Sequence, residues 1–322
     1  MNKTKFGVFL PFYAFKERER TPSHSFDRVR DVVLECERLG YDSVWLDDHL
    51  MFEKRPIFEC WTTLSALSTI TSKIRLGTMV LCNSFRSPAV LAKMAATIDI
   101  ISNGRLELGI GAGVQENEHA AYGIPFLESH SRIARVKEAV EIIKKMWTEE
   151  KTSYQGRYYR TSEAVCEPKP MQKPHPPITI GGSGEKLTLK VTAQHADRYD
   201  WGYVPSLELY RHKLDVLENH CKAVGRDCRE IERSCWLGGQ IFIVTNRKEL
   251  DEKVLQLKPN NVSLEDFKKY NFVATPDDCM NEIKQYMSLG VTYFMLFFGD
   301  LSDMSDARLF AQKVVREIKS SR

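Results

Sequence analysis

The stretch LELGIGAGVQENEHAAYG, residues 106–123, decides the fold. Its apolar half carries glycine at every second position, Gly109, Gly111 and Gly113. Period two is the mark of a strand, and here the glycines strip one face of side chains. The polar residues Gln115, Glu116 and Glu118 follow at once. Upstream, DSVWLDDH (42–49) and IRLGTMVL (74–81) read as strands too, and a segment with helical features follows each. Strand then helix, repeated at near-constant spacing, is the unit of a parallel sheet.

The flanks continue the pattern. KFGVFLPF (5–12) is a first strand. Val29, Val32, Val33, Cys36 and Leu39 recur at helical spacing, and Gly40 stands where a helix C-cap glycine belongs. A helix is expected from Pro56 to Ile70, and Pro88 opens another. Ile133, Val136, Val140, Ile143 and Trp147 mark a long helix. EPKPMQKPHPP (167–177) is too proline-rich for helix or sheet interior and reads as an ordered excursion or lid. ITIGG (178–182), RYDWGYV (198–204), CWLGGQIFIVT (235–245) and YFMLFFG (293–299) complete eight strands, with helices expected near Glu185, over 206–223 and near Ile318. The class is α/β: a TIM-like (β/α)8 barrel as a single domain over 1–322, with insertions near 114–127, 151–177 and 257–274. A doubly wound open sheet is disfavoured, because polar clusters follow many strands and not one switch point.

The formal net charge of +3 in 322 residues argues against nucleic acid or an anionic membrane as partner. The basic residues are scattered; KERER (16–20) is mixed in sign and reads as a solvated loop. No run approaches the ~20 apolar residues of a membrane span. The eight cysteines form no CxxC pair, and the spacing of Cys221, Cys228 and Cys235 is not that of a metal site, which favours reduced thiols in a cytoplasmic enzyme.

Barrel active sites lie at the C-terminal ends of the strands. There the sequence places Asp47, Asp48 and His49, then Cys82, Asn83 and Ser84, then Gly111, Ala112 and Gly113, then GGSGEK (181–186). The glycine strand is no dinucleotide fingerprint, since Val114 stands where the third glycine is needed. It either relieves crowding inside the sheet or lets a flat ring lie against the strand end. Gly181, Gly182, Ser183, Gly184 and Lys186 are either plain turn chemistry or an anion site at a helix start. His49, with Asp48 to orient it, is the candidate acid/base for a small-molecule substrate. A metal on Asp48, His49 and His24 or His119 is the competing use, without HxH or HxxxH spacing to support it.

RLGT (75–78), SPAVLAKMAATID (87–99), GRLELGIGAG (104–113) and IGGSGEK (180–186), in that order, resemble the luciferase-like monooxygenase superfamily, and most the coenzyme F420-dependent branch that includes methylenetetrahydromethanopterin reductase. The resemblance implies a barrel holding F420, or alternatively FMN, at its mouth, in a homodimer. It implies a non-proline cis peptide around Leu81–Cys82–Asn83 against the ring, room for the ring at Gly111, Ala112 and Gly113, and a cofactor phosphate at GGSGEK, with Lys186 reaching the anionic tail of F420. Two departures stand out. Val114 occupies the place of a glutamate found in the sugar-phosphate dehydrogenases of that branch, and LMFEKR (50–55) carries no tryptophan. Both argue against glucose-6-phosphate as substrate. The implied activity is hydride transfer between F420 and an imine, alkene or carbonyl/alcohol. The alternatives are an FMN monooxygenase using oxygen, and a flavin-binding protein without catalysis.

Overall fold

The computed structural model describes residues 3–12, 22–53, 55–299, 301 and 303–320, with side chains from residue 26 onward in the first helix. KERER (16–20) and the side chain of His24 lie outside the described residues. In chain order the strands are β1 (Lys5–Leu10), β2 (Ser43–Leu46), β3 (Arg75–Thr78), β4 (Leu81–Cys82), β5 (Leu106–Gly111), β6 (Thr152–Gln155), β7 (Arg160–Ala164), β8 (Ile178–Gly181), β9 (Arg198–Asp200), β10 (Glu232–Ile243), β11 (Asn271–Ala274) and β12 (Tyr293–Phe298). The main helices are α1 (Pro22–Leu39), α2 (Cys60–Ile70), α3 (Pro88–Ile101), α4 (Glu116–Ala121), α5 (Ser129–Thr148), α6 (Thr188–His195), α7 (Leu207–Val224), α8 (Arg247–Leu257), α9 (Leu264–Tyr270) and α10 (Pro276–Ser288), with a helical C-terminal segment from Ser305 to Ser320. No described helix is long and apolar enough to cross a membrane.

The chain forms two compact units. One comprises Met1–Trp45, Trp201–Lys213 and Glu232–Arg322. There β10 pairs in parallel with β11 and with β12, and β12 with β1. Its core is aromatic: Phe6 stacks on Phe294 at 5.8 Å, and Phe310 meets both Phe6 and Phe298 edge-on. At the end of α1, Gly40 adopts φ +80°, with Tyr41 N–H donating to Cys36 O, which is the expected glycine cap.

The other unit comprises Leu46–Asp200 and Leu214–Ile231. Its parallel order is β3-β5-β8-β9. Here the third expected strand differs from its reading. It breaks after Thr78 and resumes as β4, which pairs Leu81 with Ile110 and Cys82 with Gly111. The cis peptide joins Met79 to Val80, not Leu81–Cys82–Asn83 as the resemblance implied. The register shows why the break falls there. The Thr78 hydroxyl takes over the ladder, donating to Gly109 O at 2.8 Å and accepting from Gly109 N–H at 3.0 Å. That brings the Thr78 backbone so close that a Cβ on Gly109 would lie 1.9 Å from Thr78 O.

Smaller differences have local causes. α2 begins at Cys60 and not at Pro56, because the Glu59 side chain caps it by accepting from Thr62 N–H. α6 begins at Thr188, three residues after Glu185, because Glu185–Leu187 form a turn first. The excursion over 151–177 contains the antiparallel hairpin β6–β7, and the 257–274 segment contains α9 and β11. All eight cysteines are free and buried.

The close contact at Gly109 makes a stability prediction. Gly109→Ala is expected to cost more than ~2 kcal/mol in a denaturant melt, as overpacking against fixed backbone does. Gly123→Ala, at φ +65° with nothing within 4 Å of the added carbon, is expected to cost only ~1 kcal/mol. Equal costs would show that the Gly109 contact is not rigid.

Candidate active site

A cavity of about 440 Å³ opens in the second unit, within the range of small-molecule and cofactor sites. Its lining comes from the ends of successive strands: Asp48 and His49 after β2, Met79, Val80 and Cys82 around β4, Gly111 to Gln115 after β5, and Gly181, Gly182 and Gly184 after β8. Glu118 and His119 from α4, Ser129, Arg132 and Ile133 from α5, and Thr188 from α6 complete it. Of the residues singled out in the sequence, Asp48, His49, Cys82, Gly111, Ala112, Gly113, Gly181, Gly182 and Gly184 meet here. Leu81, Asn83, Ser183 and Lys186 do not line it. Leu81 is buried in the β4–β5 pairing, Asn83 donates to the Tyr159 hydroxyl at 3.0 Å, and Lys186 is exposed.

The glycines have a structural cause. A Cβ on Gly111 would meet Val80 Cγ2 at 2.7 Å, and one on Gly181 would meet Val80 Cγ1 at 2.8 Å. One on Gly113, at φ +75°, would meet Cys82 Sγ at 2.5 Å. So β5 and β8 are bare where Val80 and Cys82 press on them. Crowding within the protein, and not a ligand ring alone, demands these glycines. The result is a smooth wall of Val80 and glycine backbone on the cavity.

Asp48 does not orient His49, contrary to the sequence reading. Its carboxylate takes both Arg86 Nη atoms, at 2.7 and 2.9 Å, and Cys82 N–H at 2.9 Å. Arg86 also binds Glu59. Burial opposes the Arg86 charge, but its hydrogen bonds and Coulomb attraction to Asp48 outweigh that and hold the guanidinium above its ordinary value. Both Asp48 oxygens are therefore committed to structure. His49 instead turns Nδ1 to Glu118 Oε2 at 3.2 Å, and its ring meets Phe52 edge-on at 6.2 Å. The partner of His49 was invisible in sequence, because 69 residues separate the two; only the carboxylate cluster after the fourth strand signalled it.

Burial, against hydrogen bonding from Ser84 and with the Asp48 and Glu118 charges adding, pushes the Cys82 thiol up to about 11, which disfavours the thiolate. Its Sγ lies 3.6 Å from His119 Nε2. The His119 Nδ1 faces Gln115 O at 2.7 Å, an acceptor, so Nδ1 carries the proton and Nε2 receives the thiol. Among the described residues no cluster of three His, Cys, Asp or Glu is arranged to hold a metal ion. Arg132, which lines the wall, donates to Gly113 O and to Leu127 O and covers the Phe126 ring at 4.0 Å. Neither Arg132 nor Thr188 carried a motif in the sequence.

A curated relative from Segniliparus rotundus, an F420-dependent glucose-6-phosphate dehydrogenase, is 28% identical over 90% of this chain and 93% of its own. A solved F420-dependent secondary alcohol dehydrogenase, in complex with an F420-acetone adduct, superposes with a TM-score of 0.79 at 20% identity over 98% of this chain and 99% of its own. EDTA monooxygenase from Chelativorans sp. BNC1 gives 0.84 at 14% identity over 99% and 94%. Such likeness shows the fold, a TIM-like (β/α)8 barrel. The luciferase-like monooxygenase model matches residues 4–271, and the protein, an oxidoreductase by that descent, belongs to the luciferase-like monooxygenase family.

Proposed function

We propose that the protein is an F420-dependent oxidoreductase that moves a hydride between the deazaflavin and a small organic substrate, an imine, alkene or carbonyl/alcohol. The observation that carries this reading is the pairing, in one cavity, of a smooth wall of glycine and Val80 with the imidazole of His49, while the other lining imidazole, His119, is taken up by Gln115 O and Cys82 Sγ. The names of the curated relatives support the cofactor.

The residues fit the group. Gly111, Ala112 and Gly113 offer a wall without side chains beyond Cβ, where a planar ring packs closely, with Cys82 beside them. Leu81 pairs with Ile110 on the strand that ends in this wall, and Asn83 donates to the Tyr159 hydroxyl. At the other end Gly181 closes β8, Gly182, Ser183 and Gly184 form the loop that leads to α6, and Thr188, Ser129 and Arg132 stand on the same cavity. Backbone N–H groups, hydroxyls and a guanidinium make a donor set suited to a phosphate. Lys186 is exposed two residues after Gly184, and in this reading it meets the anionic tail of F420.

When bound, F420 supplies the ring carbon that gives or takes a hydride. The chain's own residues orient the partners and manage the proton. In the alcohol direction, with F420 to take the hydride, His49 Nε2 would accept the O–H proton as the C=O bond forms. In the other direction His49 returns that proton to the oxygen or nitrogen of the reduced substrate. The cavity would hold the reacting atoms together. A homodimer in the cytoplasm belongs to the same reading, as the family resemblance implies.

Three outcomes are expected. Titrations of cofactor-free protein, followed by fluorescence, are expected to show F420 at least ~10-fold tighter than FMN, a gap of ~1.4 kcal/mol. Preference for FMN would replace hydride transfer by oxygen chemistry, and binding of neither would leave a non-catalytic protein. Lys186→Glu is expected to weaken F420 more than FMN, and equal weakening removes Lys186 from tail binding. His49→Ala is expected to keep cofactor affinity while kcat falls ~100-fold or more; turnover at the wild-type rate would take His49 out of the mechanism.

A further inference from the structure

Glu118 is buried to 2% exposure on α4, yet the hydrogen bonds described for its side chain run to the loop after β2. Oε2 faces His49 Nδ1 at 3.2 Å. Oε1 accepts from Leu50 N–H and from Met51 N–H. One helical turn on, the Tyr122 hydroxyl donates to Leu50 O at 2.9 Å. Four hydrogen bonds from two side chains thus hold three consecutive residues that start with the cavity imidazole.

The chemistry of these partners assigns a proton. A carboxylate has acceptors only, and both Glu118 oxygens already face N–H groups or the ring. Its partner must therefore donate, so neutral His49 carries its proton on Nδ1. Nε2 is then the unprotonated nitrogen, free to accept from a substrate. From this we infer that Glu118 is the positioning residue of the site. It fixes the His49 tautomer and ring orientation while its other oxygen anchors the backbone that carries the ring. The inference rests on the reading of His49 as the proton-handling group, but its structural half stands apart from the identity of the cofactor.

Glutamine at 118 is the sharp test, because it is isosteric but has one acceptor and one donor end. Two backbone N–H groups demand the oxygen at the Oε1 position. The amide NH2 then faces His49 Nδ1 and donates to it, which moves the ring proton to Nε2. The cavity would then meet a donor where the wild type offers an acceptor.

Long-range 1H–15N spectra of the labelled full-length protein read the tautomer directly. The wild type is expected in the Nδ1–H form and Glu118→Gln in the Nε2–H form. With cofactor and substrate, kcat of Glu118→Gln is expected to fall ~100-fold or more while KM stays within ~3-fold. His49→Ala combined with Glu118→Gln is expected to be no slower than His49→Ala alone, since one acts through the other. Glu116→Gln, exposed on the same helix, is expected to change neither spectrum nor rate. A wild-type Nε2–H tautomer overturns the inference without any variant, and so does a Glu118→Gln protein that keeps both the Nδ1–H form and the wild-type kcat. If the wild type shows the Nδ1–H form but turns over no substrate with F420, the proposed activity fails and the positioning role stands.

Discussion

The second unit is organised by one close approach, the Thr78 carbonyl against the Cα of Gly109. A side chain at 109 would overlap that oxygen at 1.9 Å, so only glycine permits the contact. Because Thr78 sits so close, its hydroxyl and not its backbone completes the ladder with Gly109. The chain then leaves the sheet at Met79–Val80 and returns at Leu81. Val80 is left standing between Gly111 and Gly181, at a distance that no Cβ on either glycine would allow. The cavity wall follows from this sequence of contacts, and so does the position of Cys82 over Gly113.

A second constraint fixes the end of β2. Asp48 has a fully buried side chain and Arg86 is mostly buried. Isolated burial of either charge would be costly, and the pair persists because the geometry is bidentate and the remaining carboxylate capacity is filled by Cys82 N–H. Arg86 reaches Glu59, the N-cap of α2, as well. One guanidinium therefore ties together the end of β2, the start of α2 and, through Asp48, β4. Acid–base work at Asp48 would break this set, which explains why the imidazole beside it finds its partner elsewhere.

Much of this was legible in the chain. The strand–helix alternation, the Gly40 cap, the Pro88 helix start and the convergence of polar residues at the strand ends all follow from local signals, and local signals survive in sequence. What was not legible depends on separation. Val80 reads as an ordinary strand residue, and nothing near it announces that the strand breaks there. The His49–Glu118 pair joins residues from two different strand–helix units. Adjacency in sequence suggested Asp48 as the partner, but Arg86 and Cys82 N–H take the Asp48 carboxylate, and His49 turns to Glu118 instead. The glycine strand was read with two causes open, ring or crowding; the contacts at Val80 and Cys82 supply crowding, and a cavity wall comes with it.

The short helix α4 joins these constraints. Six residues are too few for a helix to hold by propensity, and its sequence, ENEHAA, offers no apolar face to bury. Its two buried side chains are Glu118 and His119. Glu118 grips the loop after β2, and His119 receives the Cys82 thiol at the end of β4 while packing against Phe85 and Phe126. The helix is thus ordered by the very contacts that set the imidazole and close the wall behind it. A substitution that frees α4 would loosen His49 and Cys82 together, so local order and the geometry of the proton-handling group are one property of this fold and not two.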